Sequence, residues 1–298
     1  MSTILFSADE RTMDNLMEGP WVSIEAEPST AQITALFNKA GFEKYAHLVD
    51  EYDCTGFSIA IEDIAEDRLQ AEFSPCLDRI KKKDAISHIG IVGSGAFAQD
   101  FDMHAFSAFK QVTRLTTQNV PFGPALTSLF PKLQAWQSMD WKANQPTALH
   151  DAWPQLARLS LQGFSGSLDV FDGRPIKTLM LVASTIKNIE DILRFQDLES
   201  LQIISCRIGG DVSVLSTLEK LQSLRIEGKN KLVGWEALTS ATIRYLEASH
   251  YPCKFPKVGF PALQHYVVNA YRARDPFADT GGDADEINDA LNRAFFAA

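Results

Sequence analysis

One short pattern governs what this chain can fold into. The series apolar-x-x-apolar-x-apolar recurs nine times from Ile86 onward. It reads ISHIGI at Ile86, VTRLTT at Val112, LQAWQS at Leu133, LARLSL at Leu156 and IKTLML at Ile176. It continues as LESLQI at Leu198, LQSLRI at Leu221, IRYLEA at Ile243 and LQHYVV at Leu263. Successive starts lie 26, 21, 23, 20, 22, 23, 22 and 20 residues apart. That period is too short for strand–helix–strand units, which need about 30 residues or more. It fits one short strand and one compact return segment per coil.

Strand side chains alternate between faces, so the fourth and sixth positions of each copy point the same way. Leu159 and Leu161, Leu179 and Leu181, Leu201 and Ile203, and Leu224 and Ile226 are therefore expected to stack inward. Each such side chain contributes roughly 1.5–3 kcal/mol when buried. A single coil cannot cover that face; its neighbours must.

This spacing resembles leucine-rich repeats over Ile86–Tyr271, about 60% of the chain. The turn IKTLMLVASTIKNIEDILRFQD, with Ile186, Ile189 and Ile192 at threes, is similar to the internalin-like class of about 22 residues. The turn from Leu198 carries Cys206 where the family has Asn or Cys. Elsewhere that position holds Ser94, Val120, Trp141, Phe164, Ser184, Lys229, Tyr251 and Tyr271, so an Asn ladder is absent and irregular coils are expected. The resemblance implies an α/β leucine-rich-repeat solenoid: a curved parallel sheet with short helices or turns on its convex side.

The expected organisation has three parts. Residues 1–85 form an α/β N-terminal cap, 86–275 the solenoid, and 276–298 a C-terminal capping segment. Within the cap, PSTAQITALFNKAGFEKYAHLVDEYD reads as helical. Ser29 and Gln32 suit a capping box, and Ile33, Leu36 and Phe37 share a helical face. WVSIEAE, GFSIAIEDI and RLQAEF read as strands. DADEINDALNRAFFAA reads as a closing helix, with Ile287, Leu291 and Phe295 on one side.

Charge follows the same division. Residues 1–85 carry 17 acids and 8 bases, 86–275 carry 16 and 19, and 276–298 carry 5 and 1, for a net charge of −10. An acidic balance argues against general nucleic-acid binding. No apolar run is long enough to span a bilayer. The start MSTILFSADER lacks the basic-then-apolar order of a secretory signal. Cys54, Cys76, Cys206 and Cys253 form no CxxC pair, so reduced thiols in an intracellular setting are expected. A bacterial cytoplasm is what the similarity to bacterial cytosolic repeat proteins implies.

Several segments suggest chemistry. IGIVGSGAFA matches G-x-G-x-x-A at Gly93–Ala98, where glycines would let backbone approach a pyrophosphate. The acidic residue expected about 20 residues later is missing from KQVTRLTTQNV. The histidines show no HExxH pattern and no i,i+4 pair. Asp100 and Asp102 lack the rest of a cation loop. Ser165 in GFSGS misses the nucleophile-elbow spacing, since Ser167 stands where Gly is needed. Lys81, Lys82 and Lys83 read either as a solvated linker or as an interaction patch. The tryptophans read as packing residues with their N–H groups at the surface. No cofactor, metal or catalytic residue is expected.

If positions four and six point inward, positions three, five and seven face the concave side. Only five of those 27 residues are fully charged. Met180, Val182 and Ile204 form an apolar centre. Arg158, Gln202, Arg225, Glu227, Tyr245 and Glu247 surround it. An apolar centre with an Arg- and Tyr-bearing rim is the composition of a protein interface. The leading expectation is a non-catalytic protein-binding protein, for example an immunity protein that neutralises a secreted toxin or effector. The alternatives are a nucleotide-binding enzyme using Gly93–Ala98 and an adaptor within a larger complex.

Overall fold

The computed structural model describes residues 3–7, 21–24, 31–36, 50, 55–61, 75, 77–93, 103–120, 124–139, 152–228, 230–249 and 259–269. Contacts divide the chain into two compact units. One is Met1–Pro146 with Asp151–Gln155; the other is Thr147–His150 with Leu156–Ala298.

The first unit contains β1 (Thr3–Ser7), β2 (Trp21–Ile24), β3 (Ala31–Leu36), β4 (Gly56–Ile61), β5 (His88–Gly93), β6 (Arg114–Gln118) and β7 (Ala135–Met139). Their order is β7-β6-β5-β4-β1-β3-β2. Every described pairing here is parallel except β2 with β3. Parallel stacking thus extends to β4 and β1, ahead of the first repeat at Ile86.

The helix expected around Ile33 is replaced by strand β3. AQITAL is too short for its spacing to separate helix from strand. Its β-branched Ile33 and Thr34 suit extended backbone. Pairing with β1 on one edge and β2 on the other then decides the outcome. WVSI and GFSIAI are strands as expected. RLQAEF and the segment 276–298 lie outside the described residues.

The core of this unit is aromatic where the repeat departs from leucine. Phe57 meets Phe109 edge-on at 5.4 Å between ring centroids, and Phe106 meets Phe130 at 6.4 Å. Trp136 takes the fourth position of its coil and crosses Trp153 at 5.2 Å. The surface placement expected for the indole N–H groups does not hold for this pair. Trp136 Nε1–H donates to buried Thr117 Oγ1 at 3.1 Å, and Trp153 Nε1–H donates to the Leu129 carbonyl at 3.0 Å. A buried indole N–H needs such an acceptor. Thr117 at the sixth position supplies one.

The second unit contains β8 (Arg158–Gln162), β9 (Thr178–Val182), β10 (Ser200–Ile204), β11 (Gly209–Asp211), β12 (Ser223–Glu227), β13 (Lys231–Val233), β14 (Tyr245–Ser249) and β15 (His265–Asn269). Its main sheet runs β15-β14-β12-β10-β9-β8, all parallel. Strands β11 and β13 form a separate parallel pair. Each main strand covers the third to seventh positions of the repeat. Leu159, Leu179, Leu201, Leu224 and Leu246 fall in one register row and are fully buried. Leu161, Leu181, Ile203, Ile226 and Ala248 form a second buried row. The return segments carry 3-10 helices at Leu168–Phe171, Ile189–Arg194, Val212–Thr217 and Trp235–Ala237. Ile186, Ile189 and Ile192 close the core from that side.

The residue after the strand has left-handed backbone in several coils. Its φ is 52° at Asn119, 73° at Gly163, 48° at Ala183, 54° at Ser205 and 93° at Gly228. In three successive coils its N–H prolongs the ladder. Gly163 donates to Val182, Ala183 to Ile204 and Ser205 to Glu227, at 2.9, 2.9 and 2.8 Å. A Cβ on Gly228 would lie 2.9 Å from Ser205 Cα, so glycine is required there on two counts.

Two residues beyond β9 and β10, small polar side chains do the work of the missing Asn ladder. Ser184 Oγ accepts the Phe164 N–H at 3.1 Å and lies 3.1 Å from the Leu161 carbonyl and 2.9 Å from that of Val182. Cys206 Sγ donates equivalently to the Leu181 or Ile204 carbonyl, at 3.3 and 3.4 Å. Burial pushes the Cys206 thiol pKa up, which keeps it a protonated donor. Ser184→Ala removes both bonds inside the core. We expect a loss of about 1–3 kcal/mol, read as a lower urea midpoint.

Candidate functional site

The face of the second unit opposite its leucine rows is built by strand alternation and parallel register. One row across it runs Arg158, Thr178, Ser200, Ser223, Tyr245 and His265. The next runs Ser160, Met180, Gln202, Arg225 and Glu247. The third runs Gln162, Val182, Ile204 and Glu227. The structure therefore puts Met180, Gln202, Arg225 and Glu247 side by side, with Val182, Ile204 and Glu227 adjoining. Arg158 stands at the β8 end and Tyr245 on β14.

Burial divides these residues. Arg158, Met180, Val182, Ile204, Arg225, Glu227 and Tyr245 are half-buried. Gln202 is 0% exposed and Glu247 is 9% exposed, although alternation turns both away from the leucine core. Ser160, Thr178, Ser200 and Ser223 are buried too. Facing the concave side therefore does not by itself expose these side chains to solvent. Strands about 4.8 Å apart bring neighbouring side chains in a row into contact.

Electrostatics ties the far side together. Arg225 Nη2 meets Glu227 Oε2 at 2.7 Å, and Arg225 Nε meets Glu247 Oε2 at 3.1 Å. One guanidinium thus joins two carboxylates from its own and the adjacent strand. The Tyr245 ring stacks on His265 at 5.0 Å, 7° from parallel. The Arg225 network and the Tyr245 stack were invisible in the repeat alone. Both depend on which strands become neighbours.

Other candidates fall differently. Gly93 ends β5, and the rest of the Gly93–Ala98 segment lies outside the described residues. His88 is held neutral, its pKa lowered to about 4 by burial and then by the Arg114 charge. Its Nε2 lies 3.2 Å from Thr116 Oγ1. Among the described residues no cluster of three or more His, Cys, Asp or Glu could hold a metal ion. Asp100 and Asp102 lie outside those residues. Ser165 is exposed and bridges to Thr185 through parallel backbone. The lysine run is anchored through its backbone, with Lys81 and Lys82 exposed. Asp50 accepts the backbone N–H groups of Lys81 and Lys82, and Asp78 pairs with Lys83 Nζ at 2.8 Å.

A polar cleft of about 390 Å³ opens where the chain enters β10, β12 and β14, lined partly by Glu199, Glu219, Lys220 and Arg244. Surface ion pairs occupy two of its charges, Lys177 with Glu199 at 2.9 Å and Lys220 with Asp197 at 2.5 Å. No helix among the described residues is long and apolar enough to cross a membrane.

Five-residue strands recur at 20–23 residues, in parallel register, over two rows of buried apolar side chains. The second unit has the leucine-rich-repeat fold. No family model matches the chain, and no curated protein does. Among solved structures, an internalin from Listeria monocytogenes is similar with a TM-score of 0.42 and 12% identity, covering 79% of this chain and 67% of the internalin. A TLR13–ssRNA13 complex is similar with a TM-score of 0.43 and 14% identity, covering 78% of this chain. The match spans 38% of the TLR13 chain.

Proposed function

We propose that this chain is a non-catalytic scaffold that binds a protein partner on the β8–β14 face. One observation carries the reading. Val182 and Ile204 are register partners and Met180 lies two residues before Val182 on the same face; all three are apolar and half-buried, and they are flanked by Arg158 on one side and Arg225, Glu227 and Tyr245 on the other. Burying such a centre within a polar rim is how protein interfaces gain most of their affinity. Within that class we propose neutralisation of a toxin or effector protein in a bacterial cytoplasm.

Met180→Arg tests the face. A charge placed between Ser160 and Gln202 would be desolvated by any partner seated there. The side chain is half-buried on the face away from the leucine core, and the aliphatic stem of an Arg there can lie along the sheet with its charge in water, so the fold should tolerate it. We expect capture of the partner in a pull-down to fall at least about tenfold, with an unchanged thermal midpoint. Undiminished capture would move the interface elsewhere on the molecule.

A further inference from the structure

Gln202 combines complete burial with unmet polarity. Its side chain is 0% exposed, and among the described residues neither Nε2 nor Oε1 has a hydrogen-bond partner. Two positions earlier on the same strand and face, Ser200 Oγ is also buried without a partner. Buried amides are nearly always hydrogen-bonded, because leaving one unmade forfeits its hydration. The nearest strong donor on the next strand is Arg225, and its guanidinium is engaged by Glu227 and Glu247. On the other side stands Met180, which offers no strong hydrogen-bonding group. The described residues leave this amide unserved.

Resting on the partner-binding reading above, we propose that Gln202 is the specificity centre of the face and receives an Asn or Gln carboxamide from the protein partner. A primary amide presents a carbonyl and a syn N–H side by side. Two such groups pair through two N–H···O bonds, which a hydroxyl or a charged group cannot reproduce. An ionic group is the wrong occupant. It would lose its water against Met180, Val182 and Ile204, and Arg225, the cation in register with Gln202, is already paired. Met180 is the movable neighbour: its unbranched thioether changes rotamer at low cost and can open access to the amide. Polar specificity in such a pocket is strong, because a partner lacking the amide leaves Gln202 unmet.

The test uses the intact chain and a phage-displayed random peptide library. Selection on the wild type is followed by screening against Met180→Arg, Gln202→Leu and Gln202→Glu. We expect face-dependent peptides, those lost on Met180→Arg, to be enriched in Asn and Gln. They should bind Gln202→Leu and Gln202→Glu at least about tenfold more weakly. Gln202→Leu should also raise the thermal midpoint, since an unmet buried amide is exchanged for an apolar group. Face-dependent peptides without Asn or Gln, or indifferent to Gln202→Leu, overturn this inference and leave the interface standing. Recovery of no Met180-dependent peptide overturns the interface itself. A lowered midpoint for Gln202→Leu would show that the amide serves the fold, and would also overturn the proposal.

Discussion

Trp136→Ala is expected to destabilise the first unit by about 3–5 kcal/mol, the largest single effect in that part of the chain. The indole is 1% exposed and fills the fourth position of a coil where leucine usually stands. Its loss would remove the edge contact with Trp153 and leave Thr117 Oγ1 without its buried donor. Thr117 and Ser138, the sixth-position residues here, are too small and too polar to collapse into the space. Urea unfolding followed by circular dichroism reads the change. Trp136→Phe should recover most of the packing and none of the hydrogen bond, and so fall between the two. A loss below about 1 kcal/mol for the alanine variant would contradict the packing described.

Leu201→Ala should cost about 2–5 kcal/mol in the second unit. Leu201 is fully buried on β10, in register with Leu179 on one side and Leu224 on the other. A void there strips contacts from both neighbouring coils, and in a stacked repeat each coil depends on its neighbours for cover. The denaturant midpoint reads the change, and a loss below about 1 kcal/mol would contradict the shared leucine row.

The repeat itself announced the second unit. Leucines at the fourth and sixth positions, spaced 20–23 residues apart, demand extended backbone in register, because that geometry buries them all. The strands occupy those positions in every described coil, and Ile186, Ile189 and Ile192 lie in the core beneath them. The polar ladder was legible only at Cys206. Ser184 takes the same role because any small side chain with one donor and one lone pair can serve there. The left-handed residue after the strand was not legible, since Asn, Gly, Ala and Ser all occupy it.

The candidate site was legible as positions and illegible as chemistry. Alternation alone assigns Met180, Gln202 and Arg225 to one face. It cannot say that Arg225 is drawn between Glu227 and Glu247, or that Gln202 is sealed with its amide unmet. Apart from the Arg225–Glu227 pair within β12, those facts arise from lateral neighbours on different strands, more than 20 residues apart in sequence. Strand β3 shows the same limit. Six residues compatible with helix became extended because β1 and β2 offered hydrogen bonds on both edges. Local pattern determines which side chains seek the interior, since hydrophobic burial is summed residue by residue. Tertiary structure alone decides which polar groups meet, because hydrogen bonds and ion pairs depend on distance and direction between elements that sequence order does not place together.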